Sequence, residues 1–444
     1  MENKMILSSA EVCAITGGSL IGNSDWLCQA VSTDTRSLQA GDVFVALRGA
    51  NFTGEDFLAA AAAAGAAAAI VQEARPIDIP QIVVKDSLQA LKDLAAARRA
   101  RSRATFIALT GSNGKTSTKE MLARILAQRG KTLATLGNLN NDIGVPLTLL
   151  RLQGDEDFAV IEMGANHIGE IRRLVEIARP DIALITNVAA AHLQGFGSLE
   201  GVAEAKSEIY RYSEAALVVN AALPWAAQWR QAFADRRIKT FSLTGDGDII
   251  APFVAPDGSR FSLSVAGETA EIAWQLRGRH NVANALAACA AAYLAGLSLS
   301  DMAQALNGLV LQQSRLSAFR FGRHVIYDDS YNANPASFQA GIDVIAAAPN
   351  ALVIAGAMGE LGADSEALHR EVAEYARAKG VARFWSLNAP AYGTQDFSSL
   401  EALAAAFRTA LAEEEALTVL VKGSRSAQME RLFAAAQLED YRKG

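Results

Sequence analysis

Short apolar runs recur along the middle of the chain: Phe106 to Leu109, Thr132 to Thr135, Phe158 to Met163, Ile182 to Asn187 and Leu217 to Asn220, with helix-spaced stretches between most of them. Runs that are apolar throughout suit strands buried on both faces, so this alternation predicts a parallel sheet covered by helices. In such sheets ligands gather at the carboxyl ends of the strands. Ile249 to Val254, Phe261 to Val265 and Glu271 to Leu276, separated by Pro256-Asp-Gly and Ala266-Gly, predict an antiparallel meander added at one side, followed by a helix from Asn281 to Leu294. Val325 to Asp328, Leu352 to Ala355, Arg383 to Ser386 and Thr418 to Val421 repeat the alternation and predict a second, Rossmann-like sheet. Ahead of both, Val43 to Leu47, Ala66 to Val71 and Ile82 to Val84 predict the strands of a small α/β unit. The alanine run from Ala59 to Ala69 reads as a close-packed helix ended at Gly65, and a helical pattern from Leu88 to Ala100 leads onward.

The expected fold class is therefore α/β in three domains: residues 1–85, a small N-terminal unit; 86–316, a central parallel-sheet unit with added antiparallel strands; and 317–444, a Rossmann-like unit. Length agrees, since 444 residues at about 150 per domain make three. With 51% hydrophobic and 20% charged residues the chain is globular, and a net charge of −6 without a Lys/Arg block argues against nucleic acid as the main partner. The three cysteines, Cys13, Cys28 and Cys289, lack C-x-x-C spacing and suggest neither a disulfide framework nor a zinc site. Met1 to Ala10 shows no export signal and the alanine run is too short to span a bilayer, so the expectation is a cytoplasmic protein without a membrane span.

Candidate chemistry concentrates in Ala108-Leu-Thr-Gly-Ser-Asn-Gly-Lys-Thr-Ser117, which places a lysine and two hydroxyls in a glycine-bearing turn between an apolar strand and a helix starting near Thr116. Such a turn aims backbone N–H groups and the positive helix terminus at one polyphosphate. Lys115 is placed to reach the β- and γ-phosphates and Thr116 to hold Mg²⁺, with Gly111, Ser112, Asn113, Gly114 and Ser117 completing the cradle. The common P-loop has a glycine where Leu109 stands, so this is a shortened variant; the alternative is an ordinary strand-to-helix turn. Glu162 closes one apolar strand and His192 follows another, and both strand ends should face the same crevice. Glu162 suits Mg²⁺, a hard cation that takes carboxylate and phosphate oxygens. Alone, it also fits a solvated strand end, and His192 a packing residue.

Several runs together resemble the Mur ligase family: Thr110-Gly-Ser-Asn-Gly-Lys-Thr116, Gly137-Asn-Leu-Asn-Asn-Asp-Ile-Gly-Val-Pro146, Glu162-Met-Gly-Ala-Asn166, Glu204-Ala-Lys-Ser-Glu208, Gly278-Arg-His-Asn-Val-Ala-Asn284, Asp328-Asp-Ser-Tyr-Asn-Ala-Asn-Pro335 and Val421-Lys-Gly-Ser-Arg-Ser426. They span nearly the whole chain, and the last two are most similar to the member that adds D-alanyl-D-alanine to a UDP-N-acetylmuramoyl-tripeptide. The resemblance implies a catalytic set of Lys115, Lys206, His192, Asn138 and Asp329. It implies ATP with Mg²⁺, two ions, held by Thr116, Glu162, His192 and a carbamylated Lys206; by spacing alone Lys206 reads as a surface-helix lysine beside Glu204 and Glu208. It further implies Asn281 as an adenine contact, where a helix cap is the alternative, and Arg315 with Asp329 as a pair meeting phosphate and ribose, where Arg315 also reads as a linker charge. Asn138 resembles a side chain near the γ-phosphate.

For the substrates, the resemblance implies Ser32, Thr35 and Arg36 at the uridine diphosphate. Gly54-Glu-Asp56 stands where relatives often have Gly-His-Asp. Tyr331, Asn332 and Asn334 form a donor-rich loop that also fits a turn before Pro335. Lys422, Ser424 and Arg425 follow the last strand as a candidate anion site for the dipeptide's carboxylate, or a solvated cap. The implied activity is ATP-dependent ligation through an acyl phosphate, by a monomer acting on small molecules. The competing readings are another muramyl ligase adding a diamino acid, a folylpolyglutamate synthetase-like ligase, and a P-loop ATPase switch.

Overall fold

The computed structural model describes residues 6–49, 51–311, 316–438 and 440. Among the described residues three large sheets follow one another along an α/β chain, accompanied by two two-stranded ribbons in the N-terminal part. The first has five strands in the order Ser19–Ile21, Gln81–Val83, Ala68–Val71, Val43–Val45, Val31–Ser32, parallel except for the antiparallel edge strand Ser19–Ile21. The alanine-rich helix Leu58–Ala63 stops before Gly65, whose φ of 83° lets the chain turn back into Ala68–Val71.

The second sheet has nine strands in the order Thr132–Ala134, Phe158–Glu162, Thr105–Thr110, Ile182–Ile185, Ala216–Asn220, Ile238–Ser242, Ile249–Ile250, Arg260–Val265, Glu268–Ala273. The first seven are parallel and the last two add on antiparallel. Side chains alternate across it: Phe106 and Ala108 join one core, Ile107 and Leu109 the other, which is why the strand is apolar at every position. The first core continues into Val12, Val43 and Ile82 of the N-terminal unit through the helix Ser87–Arg101, whose Leu91 and Leu94 are fully buried. The long helix Arg279–Leu294 and the helix Lys115–Leu126 cover the opposite face. From Thr105–Thr110 the chain goes first to the edge strand Thr132–Ala134, returns through Phe158–Glu162 to fill the place between, then crosses to Ile182–Ile185 on the other side. That reversal opens a crevice beyond the carboxyl end of Thr105–Thr110.

The third sheet has six strands in the order Ser317–Phe321, His324–Asp329, Thr418–Lys422, Ala351–Gly356, Arg383–Leu387, Gln395–Phe397, all parallel but for the first. Leu352 and Ile354 face one core, Val353 and Ala355 the other.

Where the strands differ from the expected limits, local chemistry explains the change. The expected strand Ile249 to Val254 stops at Ile250 because Pro252 has no N–H to donate, and only the isolated bridge Val254 to Phe261 follows. The expected strand from Glu271 to Leu276 is shifted to Glu268–Ala273. Ala266 and Gly267, with φ of 51° and 87°, make a two-residue turn that forces Val265 opposite Glu268.

Candidate active site

The strand Thr105–Thr110 runs into the turn Gly111 to Gly114 and then the helix Lys115–Leu126. Both glycines are sterically required. Gly111 has φ 149° and a Cβ there would lie 2.0 Å from Thr186 Oγ1; Gly114 has φ 75° and its Cβ would lie 2.2 Å from Asn284 Oδ1. The turn is pinned to the segment after Ile182–Ile185. Ser112 N–H donates to the Asn187 carbonyl at 3.1 Å, Asn113 N–H to Asn187 Oδ1 at 2.9 Å, and Thr186 Oγ1 to the Asn113 carbonyl at 2.7 Å. Ser112 Oγ donates to the Ala189 carbonyl and accepts from its N–H. The helix thus starts at Gly114 with its amino end toward the crevice, the arrangement that attracts phosphate. Lys115 Nζ is seated on the Gly111 carbonyl at 2.7 Å, over the loop it belongs to.

Glu162 ends its strand 1% exposed. Its Oε1 accepts from Asn140 Nδ2 at 2.8 Å and from Thr116 Oγ1 at 3.4 Å, its Oε2 is buried without a hydrogen bond, and Lys119 Nζ stands 3.9 Å off. A buried carboxylate oxygen lacking a donor, beside a hydroxyl on the phosphate-loop helix, fits a hard divalent cation. Among the described residues no three His, Cys, Asp or Glu side chains gather as a metal cluster. His192 faces Glu360 instead, its Nδ1 against Glu360 Oε2. Burial holds the His192 imidazole below its ordinary pKa against the opposing pull of Glu360, with Lys115 and Lys206 pushing the same way as burial. Lys206, on the helix Leu199–Arg211, is no surface lysine: it is 1% exposed, its Nζ donates to the Ala165 carbonyl at 3.4 Å and lies 5.2 Å from the Phe196 ring centroid. Burial, seconded by the charge of Lys115, pushes its pKa down to about 7.

A cleft of about 610 Å³ opens in front of this loop and is walled on its far side by the third sheet's loops. Of the anticipated residues, Ser112, Asn113, Gly114, Lys115, Ser117, Asn138 and His192 line it, as do Asn281, Asp329, Tyr331, Asn332, Asn334 and Lys422. Gly111, Thr116, Glu162 and Lys206 support it from behind. Asn281 does not cap its helix, which starts after Gly278; its Nδ2 donates to the Arg277 carbonyl at 2.8 Å. The two units meet where Asn113 and Asn334 exchange side-chain hydrogen bonds of 3.2 and 2.8 Å.

The expected anion site of Lys422, Ser424 and Arg425 changes. Lys422 is not an open anion receptor: it is 1% exposed and bonds Asp329 Oδ2 at 2.5 Å and the Asn332 carbonyl at 3.0 Å, leaving Asp329 Oδ1 buried without a hydrogen bond. A buried ammonium takes the carboxylate the parallel neighbour strand puts beside it. Its expected companions turn elsewhere, Ser424 Oγ to the Ala357 carbonyl at 2.7 Å and Arg425 to Glu430 at 2.7 Å. Ser32, Thr35 and Arg36, expected at the uridine diphosphate, lie outside this cleft, in the N-terminal unit; Arg36 pairs with Asp34 at 2.6 Å and Ser32 closes a turn on the Asp34 backbone. Arg315 lies outside the described residues. Residues that sequence reasoning passed over are Asn140 and Asn187, which hold Glu162 and the phosphate loop, and Glu360. Asn140 stood within a quoted run; Glu360 gave no signal.

Known proteins match this arrangement along its whole length. Family models described as the Mur ligase family catalytic domain, the Mur ligase middle domain and the Mur ligase glutamate ligase domain match residues 28–100, 109–292 and 314–441. The UDP-N-acetylmuramoyl-tripeptide--D-alanyl-D-alanine ligase of Escherichia coli is 42% identical over 96% of this chain and 98% of its own. The chain belongs to the Mur ligase family. The ligase of the same name from Haemophilus influenzae is 37% identical over 96% and 97% of the two chains. Among solved Mur ligases, MurF from Acinetobacter baumannii superposes with a TM-score of 0.91 at 33% identity, covering 98% of this chain and 99% of that one. MurF from Thermotoga maritima in complex with ADP gives 0.80 at 28% identity, covering 93% and 98%. A folylpolyglutamate synthetase-like expectation meets only a likeness of fold, to L. casei FPGS at 17% identity and a TM-score of 0.59.

Proposed function

We propose that this Mur ligase joins D-alanyl-D-alanine to UDP-N-acetylmuramoyl-tripeptide, with ATP consumed, to make the pentapeptide precursor of peptidoglycan. The observation that carries the reading is a single cleft with a phosphate loop on one wall and the loops of a second α/β sheet on the other. The E. coli and H. influenzae relatives, matched over nearly their full length, bear the name of that ligase, which supports this choice of substrates.

Amide formation from a carboxylate in water is uphill, and the carboxylate is a poor electrophile. Transfer of the γ-phosphoryl group to the tripeptide's terminal carboxylate makes an acyl phosphate; the dipeptide's amine adds to its carbonyl and phosphate leaves. Such transfer is catalysed mainly by positioning and charge neutralisation. Gly111, Ser112, Asn113, Gly114 and Ser117 cradle the phosphates and Lys115 swings from the Gly111 carbonyl to them. Asn138 lies beside the γ-phosphate and Asn281 at the adenine. Thr116 and Glu162 would hold Mg²⁺, which would neutralise phosphate charge. His192 and Lys206 would hold a second ion, Lys206 as a carbamate, for which a buried amine with a pKa near 7 is suited because only the neutral amine adds carbon dioxide. Tyr331, Asn332 and Asn334 meet the dipeptide, and Asp329 acts with Lys422 behind them. Ser32, Thr35 and Arg36 take the uridine diphosphate. The domains run 1–85, 86–316 and 317–444. We place the enzyme in the cytoplasm as a monomer. No helix among the described residues is long and apolar enough to cross a membrane.

Incubation with ATP, Mg²⁺, UDP-N-acetylmuramoyl-tripeptide and D-alanyl-D-alanine should yield ADP and the sugar-pentapeptide by mass. Lys115→Ala should fold normally by circular dichroism and lose at least about 100-fold in kcat. Product formed from a free diamino acid in place of the dipeptide, or normal turnover in Lys115→Ala, would refute the reading.

A further inference from the structure

Glu360 stands in the loop after Ala351–Gly356, a central strand of the third sheet, yet its carboxylate engages His192, in the loop after Ile182–Ile185 of the second. Its backbone carbonyl accepts from Gln194 N–H at 3.2 Å. Both partners hold left-handed backbone, φ 54° at His192 and 60° at Glu360. A Cβ disfavours that conformation, which survives where the surroundings over-determine it and concentrates at functional sites.

The surroundings here are built to hold it. Met358 and Leu361 are buried on either side of Glu360, and Met358 N–H donates at 2.8 Å to Nε2 of the buried His369, whose Nδ1 sits 2.6 Å from the Ser365 carbonyl. Across the gap, Ala191 and Phe196 are buried around His192. Gly362 comes close enough that a Cβ on it would lie 3.8 Å from Gln194 N. Glu360 therefore lines the cleft with a largely exposed side chain that fills no core, while its backbone carbonyl takes an amide from the first turn of the helix Leu193–Phe196.

We propose that Glu360 is a positioning residue for ligation: acting through His192, it fixes the imidazole at the rim of the phosphate cleft when the third sheet is docked. This rests on the ligase reading above. A hydrogen bond at one ring nitrogen sets the role of the other, so engagement of Nδ1 assigns Nε2 to the reaction side. The two residues lie 168 positions apart, so the orientation exists only in the docked arrangement. Docking is thereby read out at His192.

The test uses Glu360→Ala and Glu360→Gln in the full-length chain, with steady-state kinetics for each substrate and hydrogen exchange of the segment spanning residues 190–197. The Ala variant is expected to lose about ten- to a hundred-fold in kcat, the scale of a small misplacement. Its KM for ATP should stay within about two-fold and exchange at Gln194 should be faster. Gln, which keeps the length and an acceptor oxygen, should fall between Ala and wild type. Unchanged kcat, or unchanged protection at Gln194, in the Ala variant would overturn the proposal. Failure of the ligase reading would instead leave the wild-type chain without product.

Discussion

Lys206 shows how burial prepares a side chain for chemistry that its charged form would oppose. An unfolded lysine keeps its proton to about 10.5, whereas folded Lys206 releases it near 7. Folding therefore expels a proton between those values, and this group's contribution to stability improves as pH rises through that window. A Lys206→Met variant should flatten the pH dependence of urea unfolding between about 7 and 10.5. For catalysis, Lys206→Ala should lose ligation and regain part of it with a short carboxylate such as formate or acetate standing in for the carbamate. Full activity without the additive would remove Lys206 from the reaction. None of this was legible in Glu204-Ala-Lys-Ser-Glu208 taken as a helix face, because the neighbouring glutamates suggest a solvated ion pair. Glu204 in fact bonds Arg211, and Glu208 accepts from the Gly169 and Arg172 amides.

At the scale of the element, the helix Pro335–Ile345 depends on an asparagine with two duties. Asn334 Oδ1 accepts from Ser337 N–H at 2.9 Å as the cap, while its Nδ2 donates to Asn113 in the phosphate loop. Asn334→Asp keeps the cap and deletes the donor, so melting should change little while ligation falls. Asn334→Ala should lose both, with about 1 kcal/mol of stability gone. Equal activity in the Asp variant and wild type would separate the cap from the site. The strands flanking the phosphate loop were legible because buried parallel strands are apolar throughout. Ile238–Ser242, Ser317–Phe321 and Gln395–Phe397 were not, because each mixes polar with apolar positions at a place where one face meets water or a loop. The fate of Lys422 was hidden for a different reason. Its partner Asp329 is 93 residues away and arrives only when the two strands pair in register.

Across the whole molecule, the carboxyl ends of two separate sheets face one another, joined by Asn113 with Asn334 and by His192 with Glu360. Motifs announced what each wall carries; how the walls meet is a property of packing between units that no local run encodes. In the ligase reading this arrangement lets one bound carboxylate be phosphorylated from one side and met by an amine from the other. The most direct measurement supplies UDP-N-acetylmuramoyl-tripeptide whose terminal carboxylate carries heavy oxygen and follows the label by mass spectrometry during ligation. One labelled oxygen should appear in the released inorganic phosphate for each pentapeptide formed, since the acyl phosphate hands its bridging oxygen to phosphate. Pentapeptide formed with unlabelled phosphate would contradict the account.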